Sequence, residues 1–551
     1  MLTSCVHPDG RFRVGVHQPS YTVRNLRARR YREVLGQLPD GREIENNANF
    51  PEGDIAVRSG HPVYEIANAL PFRGCTFIDA DWARPRALNP ASIAIQTPAP
   101  LSLRKHLAAQ GIQGLDAAAL RTCIASLPLQ LRYALAATSS DAEELIWLAE
   151  TCCSFIYADN GKHRYPKGLL YEEHQGRVRP VISDSELFET IANNPHLPDR
   201  YKEVMVLRPG AQGTSPITAD MYYDDCDAEK GGAIFEYLRA NSYIPGGHYA
   251  ANFAHTSRRY SIAELSLADM RGLRHLYYQR ICTVLAAQFG LELPEQGRAL
   301  SEDGLETLRL AVLDKVLASG GVYPHPATLW GWNFGYDFSP TGYRLHASHQ
   351  MIHQQYALVP EIVQSNTGET LPAFSCGDLV ADAARAYQAA FHSDFFADYL
   401  NCITANTRVD GRDGASSLAV WQDENVLLFV PKAQVSQWEL NLMVIANSES
   451  GPVGNVVEAN TSVRASIDQA MHIAQQILAK LGAAMVTSIE YSKRLGLQNG
   501  QRLIYAFLPK LPWAMGGFTE AQGRYVLGHY PEDFAAACRL KLQKHVQEMG
   551  V

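Results

Sequence analysis

Two stretches of this 551-residue chain are built to the same plan, and that plan limits the folds open to it. The first is SYIPGGHYAANFAHTSRRYSIAELSLADMRGLRHLYYQRICTVLAAQFG, residues 242–290. The second joins AQVSQWELNLMVIA (433–446) to NVVEANTSVRASIDQAMHIAQQILAKLG (455–482). Each reads as a strand, a short loop and a long helix with apolar residues at helical spacing. Each helix ends in a glycine suited to a C-cap. A later strand pattern then runs to proline: HQMIHQQYALVP (349–360) after the first and QRLIYAFLPKLP (501–512) after the second. A layout met twice implies two copies of one α+β unit. We expect them over residues 201–370 and 371–551, joined through the polar, turn-rich QSNTGETLPAFSCGD (364–378).

Residues 1–200 precede this pair as an N-terminal extension, expected to be mostly helical. LDAAALRTCIASLPLQLRYALAATSS (115–140) and DAEELIWLAETCCSFIYA (141–158) carry apolar residues at helical spacing. Before residue 100 the chain is rich in Pro, Arg and Asn and reads as extended wrapping or loop. At 203–207, EVMVL reads as a strand leading into Arg208-Pro209-Gly210 and Gly213. Successive N–H groups of such a loop can form an anion nest around Arg208; a plain turn is the alternative.

Composition narrows the function classes. Hydrophobic residues make up 46% and charged residues 19%, as in ordinary globular proteins. The net charge of −8 argues against a general nucleic-acid binder, and an anionic substrate needs a local basic patch. Among ten cysteines only Cys152 and Cys153 are close, and there is no C-x-x-C pair. That excludes a zinc ribbon and a disulfide framework and points to a reducing, cytoplasmic setting. The first residues lack the apolar run of a secretory signal. No stretch nears the ~18 apolar residues of a membrane span, so no membrane partner is expected.

The chemistry concentrates in GYRLHASHQMIHQQYALVP, residues 342–360. Strand side chains alternate between faces, so His349, Met351, His353 and Gln355 share one face at steps of about 6.6 Å. His346 has the opposite parity. Satisfied core histidines would fit the same pattern. Ser348, Met351, His353 and Gln355, however, fall on the S-x-x-H-x-H-x-Q pattern, with Met351 where the first histidine stands. This resembles the active-site motif of the galactose-1-phosphate uridylyltransferase and diadenosine tetraphosphate phosphorylase branch of the histidine-triad superfamily. Upstream, WNFGYD is similar to the family's N-x-G element, giving Asn333 and Gly335. In the second copy, LLFVPKAQVSQWELNLMVI (427–445) is similar to its strand pair. The resemblance spans residues 200–551 and implies two histidine-triad-like repeats packed about a pseudo-twofold axis.

It also implies roles. A neutral imidazole, with an ordinary pKa of about 6.5, can attack a phosphorus whose charged oxygens repel anionic nucleophiles. The result is a covalent nucleotidyl-histidine, which splits one hard displacement into two easier ones. His353 is the expected nucleophile. Gln355 would donate its amide N–H to a non-bridging oxygen, and Ser348 would donate to the leaving phosphate. Glutamine is no proton donor at neutral pH, so transfer to phosphate or a sugar phosphate is favoured over hydrolysis. Substrate contacts are expected from Asn333, Gly335 and Arg208. TSIEYSKRLGLQNGQR (487–502) adds Glu490, Lys493 and Arg494, whose cations would neutralise a transferred phosphate.

Met351 stands where several members bind structural zinc, and a thioether is a poor zinc ligand. No cofactor or metal is therefore expected, with His346 and His349 the residues for any other metal. The second copy offers Tyr505 and Phe507 in place of histidines and should lack a nucleophile. The C-terminal helix should start at Pro531, with His529 before it in a packing role. The expected partners are a nucleotide or nucleotide-sugar substrate, a phosphate or sugar-phosphate acceptor and a second subunit in a homodimer. The rival readings are a nucleotide hydrolase and a nucleotide-binding scaffold whose site has decayed.

Overall fold

The structure, a computed structural model, describes residues 3–25, 33–46, 53–58, 60–95, 99–112, 116–159, 164–174, 177–194, 196–206, 262–293, 300–319, 326–335, 353–449, 451–510 and 517–548. It is a mixed α+β protein.

Before residue 100, where extended wrapping or loop is expected, short strands alternate with loop: β1 (Gly15–His17), β2 (Tyr21–Val23), β3 (Val34–Gln37), β4 (Glu43–Glu45), β5 (Ile55–Val57), β6 (Val63–Ala67) and β7 (Cys75–Asp79). Short alternating runs such as VYEIA bury every second side chain, a period helices do not satisfy. One helix follows, α1 (Ala80–Leu88), where the Asp79 carboxylate accepts from the Asp81 and Trp82 N–H groups. These residues join the body of the molecule. Tyr64, Ile66 and Ile78 share a core with Phe396, Phe429 and Met443. The Thr76 hydroxyl donates to the Gln434 carbonyl, and Arg73 pairs with buried Glu439 at 2.6 Å.

Helices gather over 103–206: α2 (Leu103–Ala109), α3 (Ala117–Ser126), α4 (Leu129–Thr138), α5 (Ala142–Cys152), α6 (Ser185–Asn193) and α7 (Asp199–Val206). Two hairpins lie among them, β8 (Phe155–Asp159) with β9 (Arg164–Leu169) and β10 (Tyr171–His174) with β11 (Arg177–Pro180). This segment has a core of its own, drawn entirely from residues 103–205. Where a strand is expected at EVMVL, residues 203–206 are instead the end of α7, and Leu207 lies outside the described residues. Tyr201, Val204 and Met205 are buried in that core at helical spacing, and their packing overrides the β-preference of Val-Met-Val.

Next come α8 (Leu267–Gln288) and α9 (Glu302–Ala318), then strands β12 (Ala327–Gly335) and β13 (His353–Val359) and the hairpin β14 (Ile362–Gln364) with β15 (Thr370–Pro372). Helices α10 (Cys376–Phe391) and α11 (Phe395–Thr404) lead to β16 (Ala419–Gln422), β17 (Val426–Phe429) and β18 (Leu440–Val444). A small ribbon, β19 (Asn447–Ser448) with β20 (Gly451–Pro452), precedes α12 (Thr461–Lys480), β21 (Met485–Tyr491) and β22 (Ile504–Pro509). The chain closes with α13 (Gly517–Gln522), β23 (Arg524–Leu527), which pairs in parallel with β7, and α14 (Pro531–Glu548). Helix α14 starts at the expected proline.

Seven strands form one antiparallel sheet in the order β13-β12-β21-β22-β18-β17-β16, so strands of both halves share it. Its central strands are buried on both faces. Val426 and Leu428 enter the core beneath α8, α9, α12 and α14, while Leu427 and Phe429 enter the core beneath α10 and α11. Each such side chain contributes about 1.5–3 kcal/mol by leaving water. Helices α8 and α12 end alike, at Gly290 and Gly482 with φ of +64° and +98°, where a β-carbon is disfavoured. They are clamped together by Arg274, whose guanidinium donates to both carboxylate oxygens of buried Asp468 at 2.8–3.1 Å. Among the described residues no helix is long and apolar enough to cross a membrane.

Candidate active site

The expected site elements meet at one end of the sheet. Strands β12 and β13 pair without a break from Ala327↔Val359 to Asn333↔His353. Asn333 lies directly opposite His353, and Gly331 opposite Gln355. Directly opposed residues in an antiparallel ladder have α-carbons about 4.5–5.5 Å apart. Positions 353 and 355 have the same parity, as do 331, 333 and 335 across from them.

The two parities meet different surroundings. Trp330, Trp332 and Tyr356 pack into the core beneath α8, with Trp330 stacked on Tyr277 at 4.5 Å between ring centroids. On the alternate positions Gln355, Ala357 and Thr487 are exposed, and Gly331, Asn333 and Ile489 are half-buried. Here, among the described residues, no helix covers the second face of the sheet, which α10 and α11 cover further along. Glycine at 331 keeps the position opposite Gln355 free of a side chain. Asn333, Gly335 and Gln355 thus lie on strands beside an open face, next to the backbone of His353. Ser348, Arg208, His346, His349 and Met351 lie outside the described residues.

Glu490, Lys493 and Arg494, expected to meet substrate, are held elsewhere. Glu490 is on β21 but on the closed side. Its carboxylate accepts from the Tyr277, Tyr505 and Thr328 hydroxyls at 2.9, 2.8 and 3.3 Å. Burial pushes its pKa up to about 7, against these hydrogen bonds, which favour the charged form. Lys493 is buried and pairs with Glu458 at 2.9 Å. The Arg494 guanidinium pairs with Asp378 at 2.7 Å and donates to the Val359, Pro360 and Ala373 carbonyls. Arg494 therefore ties the end of β13 and the following hairpin to the N-terminus of α10. These three side chains anchor the sheet.

Sequence reading missed the hydroxyl cluster around Glu490, because its donors come from α8, β12 and β22, far apart in the chain. Tyr505 and Phe507, expected in place of catalytic histidines, are buried beneath the helices. His529 is buried too, stacked on Trp438 at 5.4 Å, and burial lowers its pKa to about 3. Among the described residues no group of three or more His, Cys, Asp or Glu side chains could hold a metal.

No protein-family model matches the chain, and no curated protein matches it. Solved structures do. A uridylyltransferase matches with 15% identity and a TM-score of 0.32, covering 44% of this chain and 69% of that one. A galT-like protein from Arabidopsis thaliana matches with 12% identity and a TM-score of 0.29, covering 44% and 69%. An ADP-glucose phosphorylase from Arabidopsis thaliana with bound ADP-glucose matches with 12% identity and a TM-score of 0.30, covering 44% and 66%.

Proposed function

We propose that the chain is a nucleotidyltransferase or nucleotide phosphorylase acting through a nucleotidyl-His353 intermediate. The observation that carries this reading is the β12–β13 register. It sets Asn333 opposite His353, and the exposed amide of Gln355 two residues on, beside an open face of the sheet. The like-capped helices α8 and α12 and the sheet built from both halves support reading the chain as two copies of one unit. His353 is on the first copy alone.

In the proposed reaction a neutral imidazole nitrogen of His353 attacks the α-phosphorus of a dinucleotide or nucleoside diphosphate sugar. An N–P bond forms, the bridging P–O bond breaks, and the leaving phosphate departs with the electron pair. Gln355 donates an amide N–H to a non-bridging oxygen where charge builds up, and Ser348 donates to the leaving oxygen. An acceptor phosphate oxygen then attacks phosphorus from the other side, releasing the imidazole. Amide chemistry at position 355 supplies no proton for activating water, which favours phosphate or a sugar phosphate as acceptor.

The test is product formation from a panel of dinucleotides and nucleoside diphosphate sugars, with and without phosphate or a sugar phosphate. Turnover that needs the acceptor, and falls by at least 10³-fold in His353→Ala, is expected from the loss of a covalent route. Equal turnover in water alone would establish the hydrolase reading instead.

A further inference from the structure

Four strands run side by side at the candidate site, β13-β12-β21-β22, and the second half of the chain contributes two of them. β21 pairs with β12 on the side away from β13, with Thr487 opposite Asn333. One row of opposed residues therefore crosses the sheet at positions 353, 333, 487 and 508. The next row on the same face holds Gln355, Gly331, Ile489 and Ala506. Opposed residues of a ladder share a face, so Thr487 stands beside Asn333 and on the face of Gln355. β21 is an interior strand, yet Thr487 is exposed, as Gln355 is, and Asn333 is half-buried. Among the described residues none of these three side chains has a hydrogen-bond partner. On the opposite face the hydroxyls are engaged: Thr328 with Ser492 at 2.7 Å, and Tyr277 and Tyr505 with Glu490.

The chemistry and reach of Thr487 fit a sugar. Adjacent strands lie about 4.8 Å apart, which puts Thr487 about 10 Å from position 353. The ribose of a nucleotide begins one ester oxygen and one carbon beyond its phosphorus. A nucleotide joined to an imidazole at 353 and laid across the strands therefore brings its ribose over positions 333 and 487. Thr487 and Asn333 are uncharged and both donate and accept, which suits the vicinal hydroxyls of ribose; a phosphate is matched instead by cations. We propose, resting on the nucleotidyl-His353 reading, that Thr487 binds a ribose hydroxyl of the nucleotide held at His353. The half of the chain without the nucleophile then shares in recognising the substrate, through an interior strand that touches none of the reacting atoms.

Titration calorimetry on the full chain tests this, with a panel of nucleoside 5′-monophosphates and their 2′,3′-dideoxy counterparts. Thr487→Val keeps the shape and the strand preference but has no hydroxyl. It should weaken binding of the ribonucleotide about three- to tenfold, the loss of one hydrogen bond between neutral groups. Binding of the dideoxynucleotide should be the same in wild type and variant. Thr487→Ser, which restores the hydroxyl, should bind both ligands as wild type does. Unchanged ribonucleotide binding in Thr487→Val, or an equal loss for both ligands, would overturn the Thr487 contact and leave the His353 reading in place. A wild-type chain that binds no ribonucleotide but forms the nucleotidyl adduct at His353 would do the same. A chain with neither binding nor adduct would overturn both.

Discussion

At the scale of single residues, two buried titratable groups give this protein a pH dependence with opposite signs. Glu490 has its pKa raised from 4.5 to about 7, so between these values the folded state holds a proton that the unfolded state has lost. Its contribution is full below about 4.5 and is lost as pH rises through 7. Glu490→Gln keeps the shape and cannot ionise, so the variant's melting temperature should fall less than wild type between pH 5 and pH 8. His529 works the other way: its pKa is lowered from 6.5 to about 3. Its contribution is full above 6.5 and is lost as pH falls toward 3, because only the unfolded state takes up the proton. His529→Phe should therefore flatten the acid side of the same curve. Equal slopes for wild type and variant would refute either assignment. The packing role of His529 was legible beforehand; that of Glu490 was not. Glu490 looked like a substrate contact because Lys493 and Arg494 follow it so closely, and a carboxyl's neighbours across a sheet are set by register.

At the scale of elements, the site depends on how firmly β13 is held, since among the described residues β13 is the edge strand of the sheet. Arg494 and Asp378 supply that hold through an ion pair and three carbonyl contacts. Arg494→Met should cost about 1.5–3 kcal/mol by removing the charged hydrogen bonds to half-buried Asp378, which keeps only its Ser375 donors. Activity should fall with it, and amide exchange should speed up over 353–359 more than over β22. Uniform exchange across the sheet would argue against a local clamp. Gly377, in the first turn of α10, has a related duty. A β-carbon there would overlap the Ser492 carbonyl, so Gly377→Ala should lose about 1–3 kcal/mol through forced separation of α10 and β21. Helices α8, α12 and α14 were readable from apolar spacing, terminal glycines and Pro531. The turn of helix at EVMVL was not, since a β-branched run of that length is ambiguous until its partners are known.

At the scale of the whole molecule, the first 206 residues divide between two fates. Residues 5–14 and 64–87 build into the central body, where β7 receives β23 and Arg73 reaches Glu439. No local pattern announces contacts made across more than 350 residues, as that pair is. Residues 103–205 instead close a core of their own. A fragment spanning 99–206 should fold alone with one cooperative thermal transition; a fragment without near-native circular dichroism would show that its core needs the rest of the chain. Strands β18 and β22 and helices α12 and α14 followed from the sequence, where period-2 and period-3.6 patterns run at good length, whereas helices α10 and α11 and strand β21 were not read from it. That Asn333 and Glu490 lie on opposite sides of one sheet did not follow, because strand parity depends on a register that the sequence does not print. The whole account turns on a covalent bond at one imidazole. Intact-mass spectrometry after brief exposure to dinucleotides and nucleoside diphosphate sugars, without acceptor, measures it directly. The account predicts an acid-labile increment of one nucleoside monophosphate that maps to His353, disappears on adding phosphate or a sugar phosphate, and is absent in His353→Ala. Acceptor-dependent turnover with no such adduct, or an adduct mapping to another residue, would contradict it.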